Sequence, residues 1–139
     1  MFGEELWSHP YVETAGYFSV TVLFLVVAMA VFELITKYEN WEEIKQGNVA
    51  AAIATGGKIF GVANIFRFSI EHHNTLFEMM SWAIFGFILL LLAYWLFEWF
   101  TPMFHVDEEI AKDNRAVGVI ACSISVGLSF VIGASILNS

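Results

Sequence analysis

Apolar residues in this chain come in long unbroken runs, not in the alternation of a half-buried strand or the narrow stripe of a soluble helix. Phe87-Ile88-Leu89-Leu90-Leu91-Leu92 is the plainest example. Four stretches, residues 17–38, 49–70, 76–100 and 115–137, each reach the roughly 20 residues that a helix needs to cross about 30 Å of hydrocarbon. In lipid every backbone N–H and C=O must be satisfied within the protein, which a helix does alone and a strand does only in a closed, alternating barrel. The pattern therefore predicts an all-α integral membrane fold with four transmembrane helices, as a single membrane domain over residues 1–139.

The polar breaks between the runs repeat. Phe32-Glu33-Leu34-Ile35-Thr36, Glu42-Glu43-Ile44 and Asn48-Val49-Ala50 return as Phe97-Glu98-Trp99-Phe100-Thr101, Glu108-Glu109-Ile110 and Asn114-Arg115-Ala116. The offset is 66 (114 minus 48), relaxing to 65 in the first fragment. Two tandem two-helix units follow, residues 17–70 and 76–137. Because each holds an even number of spans, both are expected to keep the same orientation. Lys37 and Lys45 border the first connection, and Lys112 and Arg115 the third, whereas residues 71–75 carry no Lys or Arg. The positive-inside bias places both basic loops in the cytoplasm and both termini outside it.

Composition sharpens this picture without changing it. The chain is 58% hydrophobic and 14% charged, so its bulk partner is the lipid bilayer. Its net charge of -8 is spread over short connections and the N-terminus, which argues against nucleic acid. Cys122 is the single cysteine and has no intrachain partner. Met1-Phe2-Gly3-Glu4-Glu5 lacks the basic start of a signal peptide, so the first apolar run is expected to be retained.

Local signals assign roles to the segments. Asn40-Trp41-Glu42-Glu43 has capping-box spacing and predicts a short interfacial helix ending at Gly47. Asn48 and Asn114 stand where the even helices begin and are read as repeat caps. Gly57 and Gly61 form a small-xxx-small pair on the second span, and Ser123 and Gly127 hold the same register on the fourth, continued by Ser129 and Gly133. The even helices are thus expected to face protein. The odd helices carry Val22 to Val27 and Trp82, Phe85, Tyr94, Trp95 and Trp99, which suit lipid and its headgroup belt. A homo-oligomer, or a subunit of a larger membrane complex, is the expected state.

Ionisable residues inside spans are the sharpest functional candidates. Lys58 lies about ten residues into the second span, close to the midplane, where a lysine costs at least ~2.5 kcal/mol and needs a partner, cavity or water. Glu33 and Glu98 close the odd helices, with Glu33 the expected counter-ion of Lys58; the position matching Lys58 in the second unit is Ile124, leaving Glu98 to the interface. Two readings of Lys58 stand, an internal ion pair that sets helix register and a charge on a conduction pathway. Glu71, His72 and His73 gather at the outer end of the second span beside Arg67, but adjacent helical histidines point about 100° apart, so no metal site is assigned. His9 and His105 are isolated. No Ser/His/Asp set, CxxC pair, phosphate loop or HExxH motif is present, and neither catalysis nor a cofactor is expected.

The run Glu43-Ile44-Lys45-Gln46-Gly47-Asn48-Val49-Ala50-Ala51-Ala52-Ile53, followed by Gly56-Gly57 and Gly61, resembles the bacterial YjfL-like membrane family, the domain of unknown function numbered 350. That resemblance covers the chain from about Tyr17 onward. It implies a bacterial inner-membrane protein built of two tandem two-helix units, with no catalytic residues to carry over. The second unit departs from the motif with Asp113 in place of Gly47 and Arg115 in place of Val49. Three functional readings follow: an oligomeric scaffold or accessory subunit, a channel or transporter component using Lys58 and Glu33, and a cofactor-binding subunit of a redox complex.

Overall fold

The computed structural model describes residues 2–36, 39–72, 75–101, 103 and 105–138, and only the backbone of residues 2, 3 and 7. Every element among them is helical: α1 (Phe2–Trp7), α2 (Pro10–Ile35), α3 (Asn40–Lys45), α4 (Val49–His72), α5 (Leu76–Phe100), α6 (Val106–Ala111) and α7 (Arg115–Leu137). Of these, α2, α4, α5 and α7 are long and apolar enough to cross a membrane. The bounds of α5 and α7 agree with those expected. Helix α2 starts seven residues earlier than expected, because Pro10 suits the first helical turn and the His9 ring accepts a hydrogen bond from the Tyr11 N–H at 3.4 Å. At its far end Thr36 turns extended, so α2 stops at Ile35; Lys37 and Tyr38 lie outside the described residues.

Both polar connections form a short helix followed by a left-handed residue. Gly47 takes φ 92° after α3, and Asp113 takes φ 61° after α6. The turns close alike: the Asn48 and Asn114 N–H groups donate to the Glu43 and Glu109 carbonyls, each at 2.9 Å. Asp113 thus adopts the turn of Gly47 despite its Cβ, at a left-handed cost of about 1–2 kcal/mol. Its carboxylate offsets that cost by accepting the Ala50 N–H of α4 at 2.9 Å.

Helices α4 and α7 form the heart of the bundle and run side by side in the same direction. A Cβ built on Gly118 would lie 2.9 Å from the Ala50 Cα, one on Gly57 2.6 Å from the Cys122 Cα, and one on Gly61 3.0 Å from the Ser125 carbonyl oxygen. Farther along, Asn64 donates to Ser129 Oγ at 3.0 Å, and Phe68 covers Gly133. Small residues are required at this seam because lipid supplies no hydrophobic drive for helix association, leaving close packing and interhelical hydrogen bonds to hold it. Helix α5 lies across both, with Gly86 against Ile65 of α4 and Ile132 and Ile136 of α7. Helices α2 and α5 turn Leu23, Val26, Phe85, Trp95 and Trp99 outward, and Trp95 stacks on Trp99.

One expectation about local structure needs correction. Asn40 is the first residue of α3 rather than its cap; Glu39 precedes it without a side-chain cap, and Asn40 itself is buried. Ser123 and Gly127 do not lie on the α4–α7 seam. Both are exposed, and a Cβ on Gly127 would meet nothing within 4 Å. The α7 residues in the seam are Gly118, Cys122, Ser125, Ser129 and Gly133, one face round the helix.

Candidate functional site: the enclosed Lys58 centre

Lys58 is 2% exposed although it carries a charge in a membrane-spanning helix. Side chains on a helix lean toward its N-terminus, so the lysine stem runs from mid-α4 back toward the polar connections. Its Nζ sits 5.2 Å from the Phe32 ring centroid of α2 and 5.4 Å from the Tyr94 centroid of α5, within cation–π range. Three carboxylates lie near enough to act on it electrostatically, Asp107 of α6, Glu33 of α2 and Glu98 of α5. Lys58 and Glu33 share one small cleft with Phe32, Asn40 and Thr55. The Tyr94 hydroxyl points toward Ser125 but is buried without hydrogen-bond geometry to any described group.

A polar network ties Glu33 to the first connection. Its Oε2 accepts from the Asn40 backbone N–H at 3.2 Å and from Asn40 Nδ2 at 2.8 Å. Asn40 Nδ2 also donates to Thr36 Oγ1 at 2.8 Å, and Thr55 Oγ1 donates to Asn40 Oδ1 at 3.3 Å. Asn40 therefore serves as the buried junction of α2, α3 and α4. The centre gathers one residue or more from five helices, so each short interfacial helix is anchored into the bundle by a side chain aimed at the Lys58 region.

Of the residues singled out in the sequence, Lys58, Glu33 and Glu98 come together here. Glu98 is half-buried and is among the acids that act on Lys58. Asp107, which no sequence motif singles out, is 7% exposed. The signal for it is local: Val106, Asp107 and Ile110 fall on one face of α6, so the apolar neighbours at that spacing carry Asp107 inward while Glu108 and Glu109 turn elsewhere. Tyr94, expected at the lipid-facing belt, lies instead against Lys58, and Thr55 gave no sequence signal.

The two caps occupy equivalent places with unequal work. Asn48 Oδ1 accepts the Ala51 N–H at 2.9 Å, and Asn114 Oδ1 accepts the Val117 N–H at 3.4 Å; each amide also donates to the glutamate five residues earlier, Glu43 or Glu109. Only Asn48 reaches across, donating to the Ile110 carbonyl at 2.8 Å and to that of Ala111 at 3.3 Å. Asn48→Ala is therefore expected to cost about 2–3 kcal/mol against about 1 kcal/mol for Asn114→Ala, from a cap plus buried carbonyls left unsatisfied. Unfolding midpoints in mild detergent measure the difference, and equal losses would contradict it.

At the opposite end of the bundle, Arg67 Nε binds Glu71 Oε1 at 3.3 Å between two exposed side chains. His72 is exposed, and His73 lies outside the described residues. Among the described residues no three His, Cys, Asp or Glu side chains are grouped to hold a metal ion.

Comparison with known proteins agrees with this architecture. The family model described as Domain of Unknown Function (DUF350) matches residues 5–136. The chain is 55% identical over 132 residues to the UPF0719 transmembrane protein YshE of Bacillus subtilis, covering 95% of this chain and 98% of that protein. It is 22% identical over 105 residues to the UPF0719 inner membrane protein YjfL of Escherichia coli, covering 76% and 78%. No solved structure matches. With four membrane-length helices and a family match spanning nearly the whole chain, this is a multi-pass membrane protein that belongs to the DUF350 family.

Proposed function

We propose that the chain is a non-enzymatic, oligomeric scaffold or accessory subunit of a larger assembly in the bacterial plasma membrane. The observation that carries this reading is the outer face of α4 and α7. Ala52 and Gly56 on α4, and Ser123 and Gly127 on α7, are exposed, and no other described element covers them. A helix-interior glycine costs about 1 kcal/mol relative to alanine, so Gly56 and Gly127 call for a partner that needs their lack of a side chain.

The enclosed Lys58 supports the same reading. A conducting charge needs water on at least one side, whereas this ammonium is shut between two aromatic rings and held by acids from three helices. It acts as an internal lock that seats α6 against the bundle. Both units are taken to share one orientation, supported by the parallel run of α4 and α7, with both termini outside the cytoplasm. The acidic connections then present Glu42, Glu108 and their neighbours to cytoplasmic partners. Native mass spectrometry from mild detergent is expected to show a homo-oligomer or a defined complex. A monomer alone, under conditions that preserve helix content, would count against the proposal.

A further inference from the structure

Helices α4 and α7 meet through two different faces. The α4 face holds Gly57, Gly61, Asn64 and Phe68; the α7 face holds Gly118, Cys122, Ser125, Ser129 and Gly133. The paired hydrogen bonds of Asn48 and Asn114 set the correspondence between the helices at 66 (114 minus 48). Advanced by that offset, the α4 face becomes Ser123, Gly127, Phe130 and Ala134 on α7, all four exposed. Moved back, the α7 face becomes Ala52, Gly56, Ile59, Ala63 and Arg67 on α4, all exposed except the half-buried Ile59. Each half of the seam thus has a counterpart left open on the other helix.

Such an interface is heterologous: the surface used by one unit differs from the surface used by the next, so it propagates until it closes. We propose, resting on the oligomeric reading above, that α7 of one chain packs on α4 of a second copy by repeating the α4–α7 seam, and that successive copies close into a ring. The direction of curvature is set by the helices. At about 100° per residue, the two seam faces on each helix lie roughly a third of a turn apart rather than opposite, so each added copy bends the row to the same side. Both open faces lie on the side of the α4–α7 pair away from α5, which occupies the neighbouring face at Ile65 and Ile132.

The polar end of the bundle carries the same asymmetry. Ala50, Ala51 and Ala54 of α4 are sealed in one cluster with Val106, Ile110 and Phe97 from the second unit. Their counterparts Ala116, Val117 and Ile120 line an apolar cleft of about 280 Å³ beside Phe97 and Val106. In the repeated seam the residue equivalent to Ile110 is Ile44 of the added chain, an apolar side chain on the short helix that would reach this cleft. Helix α5 touches both α4 and α7, whereas α2 packs chiefly on α4, as expected for the first unit of a row whose preceding member belongs to another molecule.

The within-chain contact of Gly57 with Cys122 corresponds between chains to Ser123 with Gly56. In a Cys122→Ser background, a tagged chain carrying Gly56→Cys is coexpressed with a differently tagged chain carrying Ser123→Cys, and native membranes are oxidised. Mixed G56C–S123C disulfides are expected, with little cross-linking in either single population, and a chain bearing both substitutions should give a ladder ending at a closed multimer. Disulfides between two S123C chains would mean a face-to-face dimer and overturn the proposal. So would an oligomer by native mass spectrometry that forms no mixed disulfide, which leaves the scaffold reading standing; a monomer would defeat both. Gly127→Leu supplies a second arm, because its own chain has no atom within 4 Å of a Cβ there. It should abolish the oligomer while leaving helix content intact, and an unchanged oligomer would also overturn the proposal.

Discussion

Lys58→Ala is expected to destabilise the protomer by about 3–5 kcal/mol, the usual cost of removing one partner from a buried ionic group. Asp107 is 7% exposed on α6, and it is one of the three carboxylates that act on the ammonium. Without the lysine the Asp107 carboxyl loses its counter-charge in a poorly hydrated site, which weakens the seating of α6. The Phe32 and Tyr94 rings also lose the cation between them. Thermal or denaturant unfolding in mild detergent reads the loss. The companion variant Asp107→Asn separates pairing from packing: in a double-mutant cycle, Lys58→Met with Asp107→Asn should cost less than the sum of the two single changes, by about 0.5–3 kcal/mol. Full additivity, or an unaltered Lys58→Ala midpoint, would show that the centre is not an electrostatic lock.

Glycine-to-alanine changes along the even helices should split by position. At Gly57 the added methyl would fall 2.6 Å from the Cys122 Cα, and at Gly118 2.8 Å from the Ala50 carbonyl oxygen. Those neighbours are backbone and cannot rotate aside, so each substitution is expected to push the helices apart at a cost of about 1–3 kcal/mol. Gly127→Ala places the same methyl in space open within the protomer, where the higher helix propensity of alanine favours the fold by up to about 1 kcal/mol. Unfolding measured at a dilution where the protein is monomeric isolates these effects from assembly. A loss at Gly127 equal to that at Gly57 would put both glycines in one protomer interface, contrary to the structure.

These contrasts also mark how much of the site was legible beforehand. Lys58 and Glu33 stand out in the sequence because a charge inside a long apolar run has no inexpensive explanation. Asp107 does not, since it sits among Glu108 and Glu109 in a stretch that reads as a solvated loop; only the docking of α6 through Val106 and Ile110 carries it inward. Asn40 was legible as a polar residue near a helix start, yet a cap and a buried junction are the same amide until Glu33, Thr36 and Thr55 surround it.

The membrane spans, the short helix of the first connection and the caps at Asn48 and Asn114 are written in the sequence by itself. They depend on local conditions: enough apolar residues to cross the bilayer, and side chains at hand for backbone groups that no helix can satisfy at its own ends. The rotation of each span about its axis is not local in this way. In lipid an apolar face gains nothing by turning inward, so the pattern that orients a soluble helix carries little information here. Tertiary packing alone decided that Gly57 meets Cys122 while Gly127 faces outward, and that three acids from different helices converge on Lys58. Van der Waals fit between small residues, and the need of a buried ammonium for counter-charge, are the forces that made those choices.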